Sequence, residues 1–409
     1  MKPKLQLLLL LLVYLALVLV HLWEPFQGDE GRYLMYANNL SRGYYSPPGQ
    51  IVLMSGPGYP LALLPIAGLK LPWVIARLLN PVFLILSVLY FYQTLRLYLG
   101  ERGSFLFAAF FGGYPMFLKY LHLVYSENFA ILLVCGFIYH FCRVFVSERG
   151  SWLHGLTAGI YLGFLALTKV IFGYVILAAL VFFLALFLWK RSEFLKRTLG
   201  VHALALLFCV PYLVYTHALT GKIFYWAYYG GPNFYWMTSP FEEELGDWRG
   251  GGLGHLQDSG IPELMKHHGA FFEELEPLQP LEWETRLKAK ALENIRRHPV
   301  KFIKNWICNV GRMLFNYPYS YTPQRMGTLF NIFAVMFIPV FGILCIYPSY
   351  VARKRMPPEI FVLLFLGLIA FGGSSLLAAY ERQFRILVPF FVLWILVTLK
   401  KAVKIEILR

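Results

Sequence analysis

Charged residues are scarce. Asp, Glu, Lys and Arg make up 14% of the chain, where an average soluble protein carries roughly a quarter, and this excludes a soluble globular enzyme. Metal-ligating cysteine patterns are missing as well. The five cysteines fall mostly inside apolar stretches (Cys135, Cys142, Cys209, Cys345) without ligand spacing, and no chemistry is assigned to them. The short basic loops lack any phosphate-binding glycine motif and, at about five to ten residues, leave no room for a cytoplasmic nucleotide-binding domain. Internal repeats are absent too. The chemistry therefore has to use a substrate that does not depend on cytoplasmic ATP.

What the chain does have is apolar length. Hydrophobic residues make up 58% of its 409 positions and aromatics 18%. Repeated apolar runs of about 18 or more residues, each able to cross roughly 30 Å of hydrocarbon, predict an all-α polytopic membrane protein. The balance of 37 Lys+Arg against 22 Asp+Glu, a net +15, would suggest nucleic acid in a soluble domain. Here the basic residues sit beside the spans and are explained by membrane topology. Spans are expected at about 5–23, 73–95, 104–121, 127–146, 152–168, 171–189, 198–217, 329–349, 359–377 and 386–399, about ten in all. The first is read as an uncleaved span, because its leucine run is too long for a signal core and no small-residue cleavage site follows.

Basic clusters fix the orientation. Arg96 and Arg102, Arg143 and Arg149, the group Lys190, Arg191, Lys196 and Arg197, the run Arg353, Lys354 and Arg355, and a tail with Lys400, Lys401, Lys404 and Arg409 are all placed on the cytoplasmic side. Two long segments, 24–72 and 221–327, then lie outside with nearly all the acidic residues. The expected organisation is an N-terminal transmembrane module, 1–220, carrying the first outer loop, the second outer loop at 221–327, and C-terminal spans at 328–409. Within the outer segments, 51–71 is broken by Gly56, Pro57, Gly58, Pro60 and Pro65 and is read as a juxtamembrane hairpin. In 299–316, Phe302, Ile303, Trp306, Ile307 and Val310 share one helical face while Lys301, Lys304, Asn305 and Arg312 take the other, which predicts a helix lying on the outer membrane surface.

The most informative stretch is GDEGRYLMYANNL, after the first span. Asp29 stands where a helix would begin, with Arg32 and Tyr33 one turn on. An N-cap accounts for Asp29 alone, but not for the second acid Glu30 or for the Arg and Tyr beside it. Glu127, in the loop YSEN, is expected at the same outer surface, as are Lys169 and the group Glu381, Arg382 and Arg385. Two arginines in a very short outer loop oppose the usual charge bias and suit a phosphate. The aromatic stretch 224–236 is read as an interfacial belt. Gly250 to Gly254, with nearby acids such as Glu242, Glu243, Glu244 and Asp247, is read as a mobile loop. His255, Asp258, Glu263, His267 and His268 fit no metal-ligand spacing and are read as solvated, so no metal ligands are assigned.

GDEGRYLMYANNL, GPGYPLALLPI, ARLLNPVFLILSVLYFY, YSEN, GIYLGFLALTKV, ALENIRRHPVKFIKNW and ERQFRILVPFF resemble, in order, the bacterial GT-C membrane glycosyltransferases, relatives of protein O-mannosyltransferases and of the aminoarabinose transferases that modify lipid A. Only about 225–280 is left without a match. The resemblance implies inverting transfer of a sugar from a polyprenyl-phosphate carrier to a lipid, glycan or protein acceptor, at the periplasmic or extracellular face of the inner (plasma) membrane. Cell-envelope and lipopolysaccharide glycosyltransferases are the expected subgroup. Asp29 maps to the family's base, with Glu30 as its neighbour. Arg382, Arg385, Arg32 and Lys169 are the expected donor-phosphate ligands, and Glu127, Tyr33 and Tyr59 the expected substrate contacts. The chain departs from those relatives at Gly56-Pro57-Gly58, where they often carry Lys-Pro-Pro. No cofactor is assigned, and a divalent cation is left open. Expected partners are the lipid-linked donor, its acceptor and membrane lipids, with no nucleic acid. The rival reading is a transporter or flippase of a lipid-linked glycan.

Overall fold

The computed structural model describes residues 3–147, 150–323 and 326–402. Arg149, Lys404 and Arg409, placed in the basic clusters above, lie outside the described residues. Helices follow one another throughout: α1 (Pro3–Val20), α2 (Glu30–Ser41), α3 (Gly58–Gly68), α4 (Ile75–Arg96), α5 (Glu101–Gly112), α6 (Pro115–Leu118), α7 (Ser126–Val146), α8 (Ser151–Thr168), α9 (Ile171–Lys190) and α10 (Glu193–Thr220). After these come α11 (Gly230–Met237), α12 (Leu253–Asp258), α13 (Pro262–Leu275), α14 (Pro280–Arg297), α15 (Pro299–Phe315), α16 (Met326–Val335), α17 (Phe337–Val351), α18 (Pro358–Ser375) and α19 (Glu381–Ala402).

Six of the described helices, α4, α7, α9, α10, α18 and α19, are long and apolar enough to cross a bilayer, so the chain is a multi-pass membrane protein. Two expected spans are broken. The run 104–121 divides into α5 and α6 where Gly112, Gly113 and Pro115 interrupt it, since proline removes a helical N–H and glycine weakens the turn before it. The run 329–349 divides into α16 and α17. The hairpin expected at 51–71 contains α3, whose 11 residues reach only about 16 Å, too short to cross.

α7 and α19 are the most enclosed spans and α9 and α10 the least. α7 packs on α4, α8 and α19, and α10 closes the far side of α8. The N-terminal ends of α7, α9 and α19 meet the C-terminal ends of α8 and α18 around one cavity. Arg143, Lys190 and Lys400 therefore sit at the other ends of α7, α9 and α19.

α15 is an amphipathic helix with its polar side inward. Val300, Ile303, Trp306 and Ile307 are exposed, while Lys301, Asn305, Asn309 and Arg312 are buried. Those polar groups are spent on backbone. Asn305 Nδ2 donates to the carbonyls of Met237 (3.2 Å) and Ser239 (2.9 Å), Asn309 Nδ2 to Ser375 (2.8 Å) and Leu377 (2.7 Å), and Arg312 to Leu245 (2.9 Å). α15 thus staples the segment before α12 to the end of α18, and its uncovered apolar face has the character of a helix resting on a membrane surface.

Candidate active site

Asp29 occupies the N-cap position of α2, but its side chain makes no capping bond. The carboxylate is free for other partners. Oδ1 pairs with Arg32 at 3.1 Å and Oδ2 with Arg382 at 2.7 Å, and the group keeps 22% of its exposure. Arg382 in turn lies 3.9 Å from Glu127 Oε1, which accepts from Lys169 Nζ at 2.9 Å. Arg385 approaches the other Glu127 oxygen at 3.6 Å. Cations and carboxylates alternate along this relay, and four cations face two carboxylates. Such an imbalance in a partly desolvated pocket attracts an anion. At Arg32, burial opposes the charged form, but Tyr33 and Asp29 outweigh it and hold the guanidinium above its ordinary range.

Local structure explains these positions. Tyr33 ties α2 to α7 through its hydroxyl, 2.9 Å from Ser126 Oγ, and its ring meets Tyr59 edge-on. Gly56 and Gly58 let the chain lie directly on the end of α8. A Cβ at position 56 would come 2.1 Å from the Leu167 carbonyl oxygen, and one at 58 would come 2.3 Å from Thr168 Oγ1. This contact accounts for glycine at the site of the departure noted above, and it seats the loop beside Lys169.

The cavity measures about 640 Å³. Asp29, Arg32, Tyr33, Glu127, Lys169 and Arg382 all line it. Three residues expected at the site do not. Glu30 is fully buried below α2, accepting from the backbone N–H groups of Gln27 and Val124 (both 2.8 Å) and pairing with Arg77 at 3.4 Å. Arg77 also donates to the carbonyls of His21, Leu22 and Glu24, so this pair fastens the start of the 24–72 segment to α4 and leaves Glu30 no access to the cavity. Arg385 is fully buried, donating to the Met116 carbonyl at 3.2 Å, and acts on the site only as a counter-charge to Glu127. Tyr59 is enclosed behind Tyr33, its ring packed against those of Tyr33 and Phe129.

Other walls were missed in the sequence. The stretch 224–236 is not an interfacial belt: Trp226 and Trp236 are buried, and Tyr229 lines the cavity beneath Arg32, whose guanidinium lies 5.6 Å from the ring centroid. Trp248 and His255, from the segment read as a mobile loop, also line it, and the Trp248 carbonyl accepts from Tyr380 at 3.1 Å. Glu284 and Lys288 complete a second polar end, 2.6 Å apart, with Tyr225 donating to Glu284 at 2.8 Å. One signal for Glu284 was present: it shares a buried stripe of α14 with Leu287, Ala291 and Asn294, and a carboxylate in such a stripe requires partners.

The family model described as dolichyl-phosphate-mannose-protein mannosyltransferase matches residues 69–215. The Archaeoglobus fulgidus oligosaccharyltransferase tethered to an acceptor peptide aligns with 96% of this chain and 49% of its own, at 15% identity and a TM-score of 0.55. The oligosaccharyltransferase AglB from the same organism, in complex with an inhibitory peptide and a dolichol-phosphate, aligns with 97% of this chain and 50% of its own, at 15% identity and a TM-score of 0.52. The fold is that of the GT-C membrane glycosyltransferases. The chain spans about half the length of those oligosaccharyltransferases. ArnT from Cupriavidus metallidurans bound to undecaprenyl phosphate aligns with 96% of the chain and 77% of its own, at 14% identity and a TM-score of 0.42. No curated protein matches the sequence.

Proposed function

We propose that the protein is an inverting glycosyltransferase that moves a sugar from a polyprenyl-phosphate carrier to a hydroxyl of a lipid, glycan or protein acceptor at the outer face of the membrane. The observation that carries this reading is the uncapped Asp29 carboxylate facing a cavity together with Arg382, Glu127 and Lys169. Its position at the helix ends opposite the basic clusters supports the outer face. AglB, which shares the fold, is described with a dolichol-phosphate, in keeping with a lipid-linked donor here.

The chemistry follows from charge. As the acceptor oxygen bonds to the anomeric carbon, its proton passes to Asp29 and the carbon–oxygen bond to the carrier phosphate breaks. The departing phosphate gains a negative charge, so it needs cations more than a general acid, and Arg382, Lys169 and Arg32 supply them. Inversion requires base and leaving group on opposite faces of the anomeric carbon. Lys169, at the end of the relay away from Asp29, suits that demand, and Arg382 and Arg32 have to turn from the Asp29 carboxylate toward the phosphate to share in it. Val170, Ile171 and Leu377 add apolar wall where α9 and α18 meet the cavity, next to the exposed Leu376, a route for the carrier's tail from the bilayer.

The test is reconstitution in vesicles with a panel of labelled polyprenyl-phosphate sugars and extracted envelope acceptors. Transfer of label to an acceptor, with release of polyprenyl phosphate, is the expected result. Movement of the labelled lipid across the bilayer with no glycosyl product would replace this reading by a flippase.

A further inference from the structure

Away from the cavity, a second polar cluster is buried in the 221–327 segment. Glu244 Oε1 lies 2.9 Å from His268 Nε2 and 3.1 Å from His267 Nδ1, and it accepts from the Tyr321 hydroxyl at 3.0 Å. The potential ligand atoms of Glu244, His267 and His268 all fall within 4.8 Å of one another. Consecutive helical residues point about 100° apart, yet both imidazoles of α13 turn toward one carboxylate. We propose that this cluster is a divalent-cation site, best suited to zinc.

The donor set is the first argument. Two imidazole nitrogens and a carboxylate oxygen are zinc ligands with bonds of about 2.0–2.2 Å, which places tetrahedral ligand atoms roughly 3.3 Å apart. The two separations from Glu244, 2.9 and 3.1 Å, need open by only a few tenths of an ångström, and the two imidazole nitrogens, within 4.8 Å of each other, have to come to the same spacing. Tyr321 or water takes the fourth position.

The second argument is the neighbour behind His268. Its Nδ1 is 2.7 Å from the Tyr235 hydroxyl, and a hydroxyl both gives and accepts a hydrogen bond. With no metal, Nε2–H donates to Glu244 and Nδ1 accepts from Tyr235. With metal, the proton resides on Nδ1 and is donated to the Tyr235 oxygen, leaving the Nε2 lone pair for the ion. Tyr235 thus serves either tautomer, and the exchange releases no net proton from the ring. His267 is held flat against Phe241, ring centroids 3.8 Å apart, with Nδ1 directed at the same oxygen.

An ion here joins α13 to the segment that carries Trp248, four residues beyond Glu244, and so steadies a wall of the cavity. The site stands whether or not sugar transfer is the activity, and its test reads metal directly. The purified full chain in nanodiscs, stripped with chelator, is titrated with Zn²⁺ by calorimetry, and bound metal is counted by elemental analysis. One saturable zinc per chain is expected, with Co²⁺ giving the visible absorption of a tetrahedral site. Glu244→Gln should abolish binding, Tyr235→Phe should weaken it about 10–100-fold, and Glu263→Gln, on the exposed side of α13, should leave it unchanged. Wild-type protein without one-to-one binding, or Glu244→Gln binding as wild type, overturns the proposal. Should Glu244→Gln fail to fold, Tyr235→Phe decides: an affinity within about twofold of wild type overturns it.

Discussion

Arg382 reaches across 353 positions of chain to place its guanidinium 2.7 Å from the Asp29 carboxylate. The two residues stand at the starts of helices near opposite ends of the sequence, α2 and α19, and their contact joins the 24–72 segment to the last span beside the cavity. In the proposed reaction Arg382 has two partners in turn, the base at rest and the carrier phosphate at work. Arg382→Gln should therefore weaken donor binding about tenfold or more, since a hydrogen bond to a charged group is worth about 1.5–3 kcal/mol. Donor titration against detergent-solubilised protein checks this, and an unchanged affinity would remove Arg382 from the phosphate site.

The adjacent acids Asp29 and Glu30 should behave oppositely when neutralised. Glu30→Gln leaves the Arg77 charge buried without compensation, a loss of about 3–5 kcal/mol, seen as a large drop in unfolding temperature. Asp29→Asn disturbs a partly exposed pair and should cost far less. Parallel thermal melts of the two variants decide; equal losses would contradict the division between structural and reacting carboxylates.

Much of this was legible before the fold was known, and the failures have physical causes. The face of α2 and the amphipathic α15 follow from local helical periodicity, which sequence records directly. Glu30 could not be told from Asp29, because its burial depends on Arg77 and on the Val124 N–H, both far along the chain. Arg385 shared the short loop of Arg382 but falls on the inward side of α19, a matter of packing against α6 and α7. The convergence of Glu244 with His268 joins a loop to a helix with no regular spacing, so no ligand template applied.

Gly56 should resist even the smallest side chain. Gly56→Ala sets a methyl against the Leu167 carbonyl and has to displace the end of α8 and with it Lys169. The expected result is a loss of about 1–3 kcal/mol in stability and of about tenfold or more in transfer rate. Gly103→Ala, where nothing lies within 4 Å, should raise neither effect; the pair is compared by melting and by initial rate.

Acid should loosen the 221–327 segment. Burial pushes the Glu244 carboxyl up, but His268, Ser239 and His267 outweigh it and hold the folded value at about 2, below the ordinary 4.5. A carboxyl depressed in the folded state stabilises above its unfolded value, and that contribution is lost as pH falls from about 4.5 to about 2. It is on the order of 3 kcal/mol. Unfolding followed in chelator from pH 6 downward should show this slope in the wild type and not in Glu244→Gln.

The central claim is that Asp29 takes the acceptor's proton. Single-turnover transfer from a bound polyprenyl-phosphate sugar, measured for wild type and Asp29→Asn in reconstituted vesicles with donor affinity determined separately, tests it most directly. The account predicts a rate reduced about 10²–10⁴-fold with donor binding unchanged or tighter, because one negative charge leaves a site that binds phosphate. Full-rate transfer by Asp29→Asn would contradict it.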